Sequence, residues 1–240
     1  MKSIVIRMAV AAGLCAGSAG GFAATSSSMT VLPANNPLVT GWKAGTNTAL
    51  IGSSTVDYWS GNGVGVGGES SSDGQHALDN QSGFEVALLS FDQQVRLESV
   101  KAGWTQTDSD IFVMAFTGSG SLTATTSLDG GIFKNLTTRG WSLVGNYADI
   151  GKTSKNLGTT GGTFENTYSS FWLIGAGAYT SGTGVSLGDA KNDYLKLASV
   201  TGTIKPNNGG GGSVPEPGSL ALAGLAFMGM VGMRRRKQTA

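Results

Sequence analysis

Asp108-Ser109-Asp110 sets two carboxylates one residue apart, directly before the apolar run Ile111-Phe112-Val113-Met114-Ala115-Phe116. Hard oxygen ligands on a loop suit calcium. Asp79-Asn80 and Asn192-Asp193 would complete such a shell if the fold brought them close. The competing reading is that Asp, Asn and Ser shape the turn by bonding their own backbone. Calcium at Asp108 and Asp110 is the only cofactor the sequence suggests; otherwise none is expected. His76 is the single histidine, and a Ser-His-Asp hydrolase could use it with Asp73 or Asp79 as the orienting carboxylate. No Gly-x-Ser-x-Gly elbow accompanies it, and the adjoining Gly- and Ser-rich stretch favours a solvated loop histidine. One histidine and one cysteine also argue against a zinc site. Glycosidase chemistry needs two carboxyls about 5–10 Å apart across a cleft, and the sequence singles out no such pair. Gly63-Val64-Gly65-Val66-Gly67-Gly68 looks like a nucleotide loop, but no helix follows to turn its N-terminus toward a phosphate. No enzymatic activity is expected.

Five tryptophans remain as possible sugar-stacking surfaces, and Trp42, Trp104 and Trp141 each follow a glycine. Tryptophan at a strand start more often seals a core. Trp59, beside Tyr58 and a glycine-rich stretch, is the one expected to be exposed and free to stack on a sugar ring.

The elements that must position these residues are strands. Thirty-nine glycines, with abundant Ser and Thr, do not build long helices. Phe84-Glu85-Val86-Ala87-Leu88-Leu89 and Val95-Arg96-Leu97-Glu98-Ser99 flank Asp92-Gln93-Gln94, which predicts a hairpin. The run from Ile111 is apolar throughout and predicts a central strand covered on both faces. Trp141-Ser142-Leu143-Val144, Phe171-Trp172-Leu173-Ile174 and Tyr194-Leu195-Lys196-Leu197-Ala198-Ser199-Val200 read as further strands. The expected class is all-β, an antiparallel β-sandwich of jelly-roll-like form. Residues 60–74 read as a long surface loop and residues 25–36 as polar and poorly ordered.

Both ends carry signals. Residues 1–23 read as a secretory signal peptide, with Lys2 and Arg7 in front and an apolar core over residues 4–14. Gly21-Phe22-Ala23 forms the small-x-small cleavage site, closing at Ala23. Cys15 follows Leu14 where a lipoprotein signal wants a small residue, so it leaves with the leader and the mature domain has no thiol. The secreted domain is expected over residues 24–206, with a glycine-rich linker at 207–213. Loss of Lys2, Arg7, Glu216, Arg234, Arg235, Arg236 and Lys237 leaves ten Lys/Arg against fourteen Asp/Glu, a net charge of −4. A mildly acidic domain of this kind argues against nucleic acid, which needs a basic stripe.

Residues 214–240 hold three signals in order: Pro215-Glu216-Pro217, an apolar run from Leu220 to Met233, and Arg234-Arg235-Arg236-Lys237. The prolines keep the first unit extended, and the cationic cluster stops transfer on the cytoplasmic side. A helix over residues 218–233 would rise about 24 Å, short of the ~30 Å hydrocarbon core. Gly218, Gly224, Gly229 and Gly232 loosen it further. Such a helix suits a processed tail better than a permanent anchor. The whole arrangement resembles the sorting signal of the PEP-CTERM proteins of Gram-negative bacteria. That resemblance implies recognition by an exosortase, a membrane-embedded cysteine protease or transpeptidase. The leader has no twin-arginine pair, so export through the general secretory machinery is the expected route. The resemblance also implies a transient stay in the inner membrane, and a destination at the cell surface or in the extracellular matrix.

Residues 76–200 also resemble a family of exosortase-dependent surface proteins. The resemblance rests on Leu78-Asp79-Asn80, Leu89-Ser90-Phe91-Asp92, Gly103-Trp104, Asp108-Ser109-Asp110 and Asn192-Asp193-Tyr194. It implies location rather than chemistry. Sorting systems of this kind accompany exopolysaccharide production, so the resemblance implies a role in matrix or biofilm. A carbohydrate-binding module for that polysaccharide is the alternative, and a secreted hydrolase comes third.

Overall fold

The computed structural model of the chain describes residues 26–30, 37–68, 76–118, 122–189 and 191–206. The expected leader with Ala23, the expected linker, and the tail with Pro215, Glu216, Pro217 and Arg234, Arg235, Arg236 and Lys237 lie outside them. The chain divides between Lys205 and Pro206 into two compact units.

The first unit is mainly β with a large antiparallel sheet. Its early strands are β1 (Ser26–Thr30), β2 (Leu38–Ala44), β3 (Gly52–Ser54), β4 (Val56–Trp59), β5 (Gly63–Val66) and β6 (Leu78–Asp79). The long β7 (Phe84–Thr107) and β8 (Ile111–Phe116) follow. A short helix α1 (Ala124–Leu128) and a 3-10 segment (Phe133–Arg139) precede β9 (Trp141–Tyr147). Then come β10 (Lys155–Asn156), β11 (Ser169–Ala176), β12 (Ala178–Thr180), β13 (Gly184–Ser186) and β14 (Asp193–Ile204). The main path of the sheet runs β4-β5-β14-β7-β11-β8-β9, and β12 and β13 form a separate pair.

β7 is the spine. No turn occurs at Asp92-Gln93-Gln94, and the expected hairpin is replaced by one 24-residue strand. That triplet has Asp92 but no glycine, and two-residue hairpin turns rely most on an Asn-Gly, Asp-Gly or Gly-containing pair. The chain changes partners there instead. Residues 84–90 pair with β2, residues 86–90 with β11, and residues 95–107 with β14. The β11 register slips between Ser169 and Phe171, which lets the exposed triplet pass unpaired by β11. Polarity at Asp92-Gln93-Gln94 records this solvent-facing crossing point rather than a reversal.

One core cluster draws Val39, Ala87 and Leu89 from one half of this network and Val64, Leu97, Leu195 and Val200 from the other. A second cluster lies where α1, the 3-10 segment and the β12–β13 pair cover Trp42, Leu88 and Leu173. β8 serves both: Ile111, Val113 and Ala115 face the first cluster, Phe112 and Met114 the second. The reading of β8 as a strand covered on both faces therefore holds.

Two further expectations fail. Within residues 60–74, Gly63–Val66 is a buried strand, not surface loop, with Leu197 opposite Val64. Its glycines allow close packing: a β-carbon on Gly65 would overlap the His76 carbonyl oxygen, and one on Gly63 the Leu197 carbonyl. Within residues 25–36, Ser26–Thr30 is not loose but pairs antiparallel with Ser199 to Thr203 of β14. Strand pairing satisfies a polar Ser/Thr backbone without any apolar signal in the sequence.

Candidate metal centre

The corner between β7 and β8 puts three carboxylates together. Asp108, Asp110 and Asp193 each present an oxygen within 4.8 Å of the others. All three are buried, at 4, 8 and 0% exposure. β7 ends at Thr107, whose φ of 54° is left-handed and turns the chain sharply. Asp193, the first residue of β14, pairs with Thr107 and forms a parallel bridge to Asp108. The backbone N–H of Tyr194 donates to the Asp108 carbonyl at 3.1 Å. Sheet pairing itself thus carries Asp193 to residues more than eighty positions earlier.

Each carboxylate is oriented. Asp193 accepts from the Asp110 N–H and from the Asn80 side-chain amide, both at 2.6 Å. The Asn80 side-chain oxygen in turn accepts from the Asp193 N–H at 2.9 Å. Asp110 Oδ1 accepts from the Asp149 N–H at 2.8 Å, and Asp108 Oδ1 from the Ser109 N–H at 2.8 Å. Asp108 Oδ2 is buried and has no hydrogen-bond partner. Burial pushes the Asp193 carboxyl up to about 7, opposed by the bonds from Asp110 and Asn80. Burial raises Asp110 too, with the neighbouring Asp108 carboxylate adding repulsion. None of the three is ion-paired with a base among the described residues. The three side chains offer oxygen ligands only.

Of the four residues expected to join Asp108 and Asp110, two do. Asn80 and Asp193 are in the cluster's network. Asp79 instead accepts from the Gln81 N–H, and the Asn192 carbonyl accepts from the Thr107 hydroxyl. The backbone of Asp149 had no signal in the sequence. Its φ of 48° is set by the turn after β9.

The other candidates lie apart from this cluster's bonds. His76 is half-buried, with Nδ1 3.3 Å from Asp57 Oδ2 and its ring 5.7 Å from that of Trp59. Asp57 is thus the carboxylate beside it; Asp73 lies outside the described residues. Trp42, Trp141 and Trp172 are buried, Trp104 is half-buried, and Trp59 is 43% exposed beside Tyr58 at 46%. Lys196, which sequence reasoning missed, lies between two of these rings. Its Nζ is 4.7 Å from the Trp59 centroid and 4.5 Å from that of Trp104, a double cation–π arrangement. A separate cleft of about 390 Å³ is lined by Lys43, Asp79 and Glu85 among others.

A mainly β domain with a buried carboxylate cluster defines no single activity, since folds of this kind host many. The chain's carboxy-terminal end is more specific. Residues 213–237 match the family model of the PEP-CTERM protein-sorting motif, so the chain carries that sorting signal. The match spans Pro215-Glu216-Pro217 and the cluster from Arg234 to Lys237. The motif makes this an exported protein of the cell envelope, transiently membrane-anchored, with an exosortase as processing partner. Among the described residues no helix is long and apolar enough to cross a membrane. No curated protein matches the chain, and no solved structure does.

Proposed function

We propose that this is a noncatalytic matrix protein, exported through the general secretory machinery and cut by an exosortase near Pro215-Glu216-Pro217. It then serves at the cell surface or in the extracellular polysaccharide matrix. The sorting motif over residues 213–237 carries this reading. The two halves of the β7 network act as the layers of a sandwich, since both contribute to one core cluster. The domain works as a stable exposed body rather than as a site of turnover. Intact-mass measurement of the protein from its host, with and without the exosortase, tests the reading. The expected product lacks the leader and everything beyond the Pro-Glu-Pro region only when the enzyme is present. A chain still ending at Ala240 in both strains would overturn it.

A second reading is a lectin-like domain for the same polysaccharide, favoured by the exposed ring of Trp59. Aromatic faces of this sort stack on sugar rings. Trp59→Ala is expected to cut polysaccharide binding about tenfold or more while leaving the melting temperature within a few degrees. Equal binding by variant and parent would remove this reading.

A further inference from the structure

We propose that Asp108, Asp110 and Asp193 hold one calcium ion, which ties the β7–β8 corner to the start of β14. Two observations support it independently. The first is spacing. Oxygens bound to a single calcium at about 2.3–2.6 Å cannot lie more than about 5 Å apart, and the three carboxylates meet that limit at 4.8 Å. The second is an orphan. Asp108 Oδ2 is buried without any partner, and native interiors rarely leave a buried carboxylate oxygen unsatisfied. A cation at the centre of the three would satisfy it.

The remaining contacts fit ligation. Asn80, the Asp149 N–H and the Asp110 N–H each take one lone pair on a carboxylate oxygen, leaving others free for a metal. Such outer contacts hold ligating carboxylates in fixed orientation. The chemistry of the donors selects the ion. Zinc is disfavoured because the cluster offers neither histidine nor thiolate. Magnesium keeps several waters and seldom sits in an all-protein cage, whereas these residues are at most 8% exposed. Calcium accepts irregular oxygen shells and occurs at millimolar levels outside cells. Extracellular modules bind it with dissociation constants of about 10⁻⁴–10⁻³ M. The ion would then load only after export.

The structural consequence is local. Three segments far apart in sequence meet here: the turn after β6 through Asn80, the corner through Asp108 and Asp110, and β14 through Asp193. Without a cation, mutual repulsion of buried carboxylates opposes that meeting.

Calcium titration of the processed protein, stripped with EGTA, is the test, read by calorimetry and by thermal melting with magnesium as control. One calcium per chain is expected, with the melting temperature rising roughly 5–10 °C at calcium a hundredfold above Kd. Magnesium should give a much smaller rise. Asp108→Asn keeps the side chain's shape and removes its charge, and is expected to weaken calcium binding tenfold or more. Unaltered binding by a folded Asp108→Asn protein would place the ion elsewhere and overturn the proposal. If that variant fails to fold, the parent decides alone: no bound calcium and no shift in melting at 10 mM calcium, about tenfold above the weakest such sites, refutes the site.

Discussion

At the scale of single residues, burial rather than sequence neighbourhood sets the chemistry. Tyr147 donates its hydroxyl to the Leu157 carbonyl at 2.7 Å, and burial pushes its phenol up to about 12. An unfolded tyrosine loses its proton near 10. Between those values the folded chain holds a proton that the unfolded chain has lost, so stability falls as pH rises through the window. Ultraviolet titration should therefore show phenolate forming later in the native protein than in urea. Tyr147→Phe should remove part of that lag, and coincident native and unfolded curves would contradict the assignment. The carboxylate cluster was partly legible at this scale. Asp108 and Asp110 stand out because paired acids before an apolar run must sit at a strand end. Asn80 and Asp193 could be named only as conditional partners, since the register of β14 on β7 is not written in either stretch. Lys196 was illegible: in an alternating strand a lysine reads as solvent-facing, and only Trp59 and Trp104 together explain its burial.

At the scale of elements, strand identity was easier to read than strand extent. β8, β9, β11 and β14 follow apolar runs directly. β7 reads as a hairpin in the sequence because a polar triplet in mid-strand looks like a turn when partner exchange is invisible. β5 was missed for the opposite reason. Glycine usually punctuates strands, yet here Gly63 and Gly65 let neighbouring carbonyls approach a strand that is wholly buried. The same feature gives a mutational prediction. Gly65→Ala forces a methyl into the His76 carbonyl and should cost about 3 kcal/mol. That corresponds to a fall of roughly 10 °C in melting temperature. Gly45→Ala, where a β-carbon meets nothing within 4 Å, is the control and should melt within about 2 °C of the parent. Equal melting of the two variants would mean that β5 does not pack as described.

For the whole molecule, the ends of the β domain can be drawn from its last bonds. Lys205 donates its N–H to the Gln94 carbonyl at 2.8 Å and its ammonium to Gln94 Oε1 at 2.9 Å. Ile204 pairs with Val95, and the division between units follows at Pro206. At the other end, β1 contributes a strand along Ser199 to Thr203, beginning only three residues beyond Ala23. A chain of residues 24–206 should accordingly melt in one cooperative step, within about 2 °C of the protein processed in its host. A chain of residues 31–206 lacks β1 and leaves the outer edge of β14 without that partner along residues 199–203. Buried or edge backbone groups that lose a ladder partner cost stability, so this shorter chain should melt several degrees lower and aggregate more readily through the bared edge. If both chains melted alike, β1 would contribute nothing to the domain, and its boundary would move inward to β2. If neither folded, the sorting tail itself would be needed for stability, a result that would contradict a signal whose business is delivery alone.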